Sequence, residues 1–363
     1  MPSRFRDVTH KHIGLTFFWY LKRMRRRIRK GERINCAPNH FLWMFRDSLL
    51  IWSLSKKRGA FLCALLIILS ACAPKEIWNT TTLIYFDTVC EVKVFCSPSR
   101  FKAAQKAVQK VFKDIEIRFS PGSADLASPE VLFLYQKAYA VYQDSEGKFD
   151  ISVGDLSRIW GFHDHSFRIP TVDDLYRTKN TIGMDKIRIH EGQLVLSPGT
   201  RLDWGGIAKG YGIDLASSAL IDMGIARGFV NAGGDLYCWG ANPKDLSWKI
   251  GIKHPRKSGF SGVLSISDEA AATTGDYQRY FVEQGTRYHH VFDPHTGFPA
   301  RGKQSVTVVG PEAAFCDALS TALFVSTQPK TILDLYPQYG AVLIDAGGNI
   351  FFLGKSVSFK PSE

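Results

Sequence analysis

The chain has 363 residues, 45% of them apolar and 22% charged, with 31 Gly and 16 Pro, so disordered, collagen-like and low-complexity classes are excluded. Its net charge of +12 lies wholly in residues 1–58, which hold 15 Lys/Arg and 3 Asp/Glu. Residues 59–363 hold 31 of each and are neutral, so the main domain is not expected to bind nucleic acid.

The first elements in the chain read as an address. A basic stretch, LKRMRRRIRKGER, fills 21–33. Lys56, Lys57 and Arg58 then precede an apolar run, 59–69, and Leu69-Ser70-Ala71-Cys72. That order describes a secretory signal. The run is shorter than the ~20 residues that span a bilayer. LSAC resembles a bacterial lipobox, in which Cys72 is lipidated and becomes the new N-terminus; the alternative is a short membrane-anchoring helix. Residues 44–71 have the length of an ordinary signal, so translation is expected to begin at Met44. Residues 1–43 are then a misassigned extension or an accessory basic arm, and 72–80 a lipid-anchored tether. The expected location is the extracytoplasmic, periplasmic side of a bacterial membrane, the cell inner membrane. Behind Cys72, the thiols Cys90, Cys96, Cys238 and Cys316 show no zinc spacing, and no zinc is expected. Two disulfides are arithmetically possible but unnecessary for a chain of this length.

The domain is expected over 81–354, with 355–363 as a tail. Residues 81–96 read as one or two strands, and Ser97-Pro98-Ser99 caps a helix over 100–117. Helices follow at 129–144, opened by Ser128-Pro129, and at 171–177, with a hairpin at 184–199. LDWGG (202–206) is a strand end and turn before a helix over 207–224. Four strand-like segments come next, then a strand at 305–310, a helix over 311–327 and a terminal hairpin at 341–354. Runs of strands rather than strict alternation predict a mixed α+β fold, mainly antiparallel sheet covered by helices. Neither GxGxxG after a strand nor a Walker loop is present.

Six segments carry residues suited to chemistry. In RLDWGGIAKGYGID (201–214) an acidic strand end, two glycines and a helix start would suit a phosphate, with Lys209 one turn in; an ordinary strand–turn–helix reads equally well. In CDALSTALF (316–324), Asp317 and Thr321 are four apart and share a helix face, a hard-oxygen pair that suits Mg²⁺. Asp317 also reads simply as an acidic residue favouring a helix N-terminus. In GTRYHHVFDPHTGFPAR (285–301), His289 and His290 point to opposite faces of a strand, so one of them can enter a given site as a base. Thr274-Gly275-Asp276 suits a ligand's hydroxyls or its own backbone. GKFDISVGDLSRIWGF (147–162) offers aromatics for a planar ring or for the core. VNAGGDL (230–236) is a strand entering a Gly-Gly turn.

Taken in order, KFDISVGDLSRIWGF, LDWGGIAKGYGID, VNAGGDL, AATTGDY, YHHVFDPHTGFPA and DALSTALF resemble the ApbE family of flavin transferases. The resemblance runs from about Thr81 to Gly354. It implies a T-fold-like α+β domain with a FAD cleft. It also implies an enzyme that uses FAD and Mg²⁺, moves FMN onto a Ser or Thr hydroxyl of a membrane-bound or exported redox subunit, and releases AMP. By the same resemblance, Asp317 and Thr321 match side-chain metal ligands and Gly206 a backbone ligand. Asp203, Lys209, Phe149, Asp150, Thr274 and Val291 match flavin-site positions, and His290 matches the site histidine. His290, with Asp276, is the expected base. The family pattern differs at Trp204, at Cys316 and at Phe86-Asp87-Thr88. Two other outcomes stay open: a FAD pyrophosphatase giving FMN and AMP, and a flavin-binding lipoprotein without chemistry.

Overall fold

The computed structural model describes residues 75–362 apart from 124 and 245. The basic extension, the signal segment and Cys72 lie outside the described residues. The chain opens with a hairpin, β1 (Ile77–Tyr85) and β2 (Thr88–Cys96), around a two-residue turn at Phe86 and Asp87. Both turn residues have positive φ, 56° and 54°, as this hairpin type demands. Phe86 tolerates it because its ring packs on Phe112 at 5.2 Å.

Next come α1 (Pro98–Arg118), capped by Ser97, and α2 (Pro129–Asp144), capped by Ser128. Short helices α3 (Gly154–Ile159) and α4 (Val172–Lys179) precede a small hairpin, β3 (Ile187–His190) and β4 (Gln193–Leu196). Helix α5 (Ala208–Asp222) leads into β5 (Gly228–Ala232) and β6 (Asp235–Trp239), joined by the Gly233-Gly234 turn. Strands β7 (Trp248–Lys253), β8 (Phe260–Ile266), β9 (Glu269–Gly275), β10 (Tyr280–Glu283), β11 (Thr286–His289) and β12 (Lys303–Gly310) follow. The chain closes with α6 (Ala313–Val325), α7 (Pro329–Leu333), β13 (Gly340–Asp345), β14 (Ile350–Gly354) and β15 (Phe359–Pro361).

The main sheet has eight strands in the order β1-β2-β5-β6-β9-β12-β13-β14, every neighbouring pair antiparallel. Helices cover one face, and a three-stranded sheet, β15-β8-β7, covers part of the other. The two-residue alternation of strands divides the core accordingly. Ala270, Ala272, Val306, Val308 and Ala341 face the helices, whereas Ala271, Val309 and Val342 face Trp248, Ile252 and Leu264. Strand β12 is buried on both faces, so that Ser305 and Thr307 are covered along with Val306 and Val308. The fold is mixed α+β, as the strand runs predict.

Both ends of the domain extend beyond the sequence reading. Strand β1 reaches back to Ile77, into the segment read as a tether, because Trp78 packs against Phe95 at 5.3 Å and Trp248 at 5.8 Å. Residues 359–361, read as tail, form β15 and pair with β8, where Phe359 joins the second core. Cys90, Cys96, Cys238 and Cys316 are free and buried.

Helix α6 is apolar almost all round and lies buried between α5 and the sheet, which makes its polar residues conspicuous. Its first amides, Ala313 N and Ala314 N, donate to the two carboxylate oxygens of Asp214 on α5, at 2.7 and 2.9 Å. In return, Asp317 of α6 accepts the Gly210 N–H at the start of α5, at 3.1 Å. Neither helix has a side-chain cap of its own, so each is capped by the other. The exchange needs Gly210: a Cβ there would meet the Ala313 carbonyl oxygen at 2.3 Å. At the far end of α6, Lys303 Nζ donates to the carbonyls of Phe324 and Ser326.

Burial pushes the Asp214 carboxyl up to about 6, and the Ala314 and Ala313 amides offset part of that rise. The folded chain therefore holds this proton more tightly than the unfolded chain. The resulting stabilisation is full below about pH 4 and is lost as pH rises through about 6. Relative to Asp214→Asn, the wild type is expected to lose on the order of 2–3 kcal/mol of stability between pH 4 and 7. Urea denaturation across that range measures the difference, and a pH-independent gap would contradict the assignment.

Candidate active site

Strand β9 ends at Thr273-Thr274-Gly275, and Thr274 projects onto α6. Thr274 Oγ1 lies 2.6 Å from Ser320 Oγ and 3.1 Å from Thr321 Oγ1. Ser320 Oγ donates to the Asp317 carbonyl at 2.8 Å. The single Thr274 proton therefore goes to Ser320, and Thr321 donates to Thr274, which leaves the Thr321 oxygen lone pairs unshared. Gly206, in the turn before α5, lies beside this hydroxyl: a Cβ at 206 would be 3.4 Å from Thr321 Oγ1 and 3.0 Å from Phe149 Cε2.

Asp317 is buried. Its Oδ2 takes the Gly210 N–H and lies 3.4 Å from Lys209 Nζ, while Oδ1 has no hydrogen-bond partner among the described residues. Lys209 also pairs with Asp235, at the start of β6. Asp203 pins the turn leading to Gly206, its Oδ1 accepting from Gly205 N at 2.8 Å and its Oδ2 from Ser157 Oγ at 3.0 Å.

The two histidines divide as strand alternation requires. His289 is buried; its Nε2 faces the Ala300 carbonyl at 2.8 Å and its Nδ1 accepts from Val291 N, so its ring is fully used. His290 is half-buried beside Phe162, its Nδ1 3.2 Å from the Arg279 carbonyl. A carbonyl only accepts, so Nδ1 carries the proton and Nε2 keeps its lone pair. Burial, the Arg279 cation and, more weakly, Lys209 push this imidazole down to about 3.

The remaining expected positions have partners of their own. Asp276, anticipated as the partner of His290, is engaged bidentately by Arg256 at 2.8 and 2.6 Å and approached by Arg287 at 3.3 Å. It lines a basic cavity of about 410 Å³ with Arg301 and Lys303, and among the described residues no hydrogen bond joins it to His290. Asp150 Oδ1 accepts from Ser152 N and Ser152 Oγ, at 2.7 and 2.6 Å, so this carboxyl closes a local turn. Val291 is buried, its carbonyl accepting from Ala300 N. Asp235 has no role in the sequence reading; its one signal there is an acidic residue opening a strand directly after Gly-Gly.

A family model described as the ApbE family matches residues 86–340. The chain belongs to the ApbE family. It is 31% identical over 221 residues to the FAD:protein FMN transferase of Haemophilus influenzae, covering 58% of this chain and 62% of that one. It is 30% identical over 245 residues to the protein of the same name from Treponema pallidum, covering 61% and 68%. The chain thus spans about three fifths of the Haemophilus relative's length. Among solved structures, the ApbE protein of Thermotoga maritima superposes with a TM-score of 0.71 at 30% identity, covering 76% of this chain and 97% of that one. The flavin transferase ApbE of Vibrio cholerae, 24% identical with a TM-score of 0.67, shares the fold.

Within this ApbE domain, Gly206, Lys209, Thr274, Asp317 and Thr321 converge, and Phe149 borders them. A carboxylate oxygen without a partner and a hydroxyl with free lone pairs are hard donors that suit a small divalent cation. The departure at Trp204 places a large buried ring edge-on to Phe119 at 5.1 Å, filling core volume behind the turn. For His290, the expected result is an imidazole that stays neutral from pH 5 to 8 in the ligand-free chain, with the proton on Nδ1. Histidine ¹⁵N NMR reads both properties; a titration near 6.5 would contradict them.

Proposed function

We propose that the chain is a Mg²⁺-dependent FAD:protein FMN transferase acting on a Ser or Thr hydroxyl of a redox subunit. The convergence of Asp317, Thr321 and Gly206 beneath the start of α5 carries this reading, and relatives that bear the transferase name support it. Asp317 and Thr321 would hold the cation, with the backbone at Gly206 beside them. When bound, it would neutralise the diphosphate of FAD and the charge developing on departing AMP. Lys209, near the start of α5, would orient phosphate oxygens. Phe149 would border the flavin.

The reaction forms one P–O bond and breaks another. The acceptor oxygen attacks the phosphorus on the FMN side, the bridging bond to the AMP side breaks, and AMP leaves. His290 Nε2 takes the acceptor's proton. A neutral imidazole with Nδ1 anchored to a carbonyl is oriented for that step and needs no carboxylate partner, consistent with the engagement of Asp276 by arginines.

The same proposal places the domain outside the cytoplasm, anchored at Cys72 to the inner membrane, where exported redox subunits are found. The LSAC motif supports this; among the described residues, no helix is long and apolar enough to cross a membrane.

Incubating the chain with FAD, Mg²⁺ and an acceptor subunit is expected to add the mass of FMN to one Thr or Ser. Asp317→Asn retains an oxygen for the Gly210 N–H and should lower the transfer rate a hundredfold or more. Release of free FMN and AMP without acceptor labelling would identify a pyrophosphatase instead, and unaltered FAD would reject the enzyme reading.

A further inference from the structure

The divalent-cation reading leaves an electrostatic problem. Lys209 Nζ lies 3.4 Å from the Asp317 carboxylate that is to hold the cation. A lysine head is a mobile point charge with three donors. Left with Asp317 as its nearest anion, it would pair with that carboxylate directly and repel a divalent ion.

Asp235 removes the problem by position. It is buried, and its Oδ1 accepts the Thr273 N–H at 2.9 Å, which ties it to β9 next to Thr274. The preceding turn is fixed by Asn231, whose Oδ1 accepts from Gly234 N at 2.9 Å, and by Gly233, where φ is 66° and a Cβ would strike Thr88. From there, Asp235 Oδ2 pairs with Lys209 Nζ, which lies 3.4 Å from Asp317 Oδ2. Two carboxylates against one ammonium leave the group with a net negative charge where a cation is to bind.

We propose that Asp235 is a positioning residue that draws the Lys209 ammonium off Asp317, so that the Asp317 carboxylate is free to take a divalent cation. The inference rests on the metal reading of the site. Asp235 itself touches neither the cation nor the flavin. It keeps a cationic phosphate contact and a cation ligand adjacent without letting them neutralise each other.

The test reads Mn²⁺ binding by the full-length chain, followed by electron paramagnetic resonance, with no turnover required. Asp235→Asn keeps an acceptor for the Thr273 N–H but loses the charge, and is expected to weaken Mn²⁺ binding about tenfold or more. Adding Lys209→Met to that variant should restore binding to near the wild-type level, because the competing ammonium is gone. Lys209→Met alone should bind Mn²⁺ at least as tightly as wild type, a result that stands even where Asp235→Asn folds poorly. A purely structural Asp235 would give a loss that Lys209→Met does not repair. That outcome, wild-type affinity in Asp235→Asn, or weaker binding in Lys209→Met would each overturn the proposal. Failure of the wild type to bind Mn²⁺ is a separate result: it would reject the metal site itself, and this inference with it.

Discussion

Two helices that cap each other hold the site together. Asp214 of α5 satisfies the first amides of α6, and Asp317 of α6 satisfies an amide at the start of α5. Orphan amides buried in a helical layer are costly, so neither carboxylate can be withdrawn without exposing the other helix. The crossing is close enough that position 210 must lack a Cβ. Asp317 therefore has two attachments. It is a structural cap through Oδ2, and its Oδ1 has no hydrogen-bond partner among the described residues. The sheet supplies the other wall through Thr274, and Lys303 fixes the far end of α6.

This arrangement explains how a nearly apolar helix can carry charge. Eleven residues of α6 are buried, and its Asp317 carboxylate is satisfied in part by the Gly210 amide of α5. The Ser320, Thr274 and Thr321 hydroxyls form a directed chain that ends on the Asp317 carbonyl. Direction matters, because it decides which oxygen still has lone pairs to give. Loops pinned by Asp203 and Asp150 bring Gly206 and Phe149 to the same place.

Much of this was legible in the sequence where periodicity or local chemistry decides the outcome. The spacing of Asp317 and Thr321 puts both on one helix turn whatever surrounds them. Ser128-Pro129 sets the start of α2, and the helix ends at Asp144 as read. The histidine pair separates because strand neighbours face opposite ways. Long-range partners were not legible. Asp276 looks like a base beside His290 until Arg256 arrives from the β7–β8 loop. One oxygen of Asp150 is taken by Ser152, two residues on. Asp235 gains its role from Lys209, in a different helix, and its place from Thr273 in a different strand. The short β15 carries no pattern of its own and exists because β8 offers it an edge.

Membership of the ApbE family fits a domain in which Gly206, Thr274, Asp317 and Thr321, far apart in the chain, meet near the start of α5. The central claim is that a divalent cation is held there by α6. Crystals of the full chain grown with Mn²⁺ and ADP, measured at the manganese absorption edge, test it most directly. The account expects one anomalous peak bonded to Asp317 Oδ1 and Thr321 Oγ1, with a diphosphate oxygen completing the contact. A peak elsewhere, or an ADP bound with Lys209 paired to Asp317 and no metal between them, would contradict it.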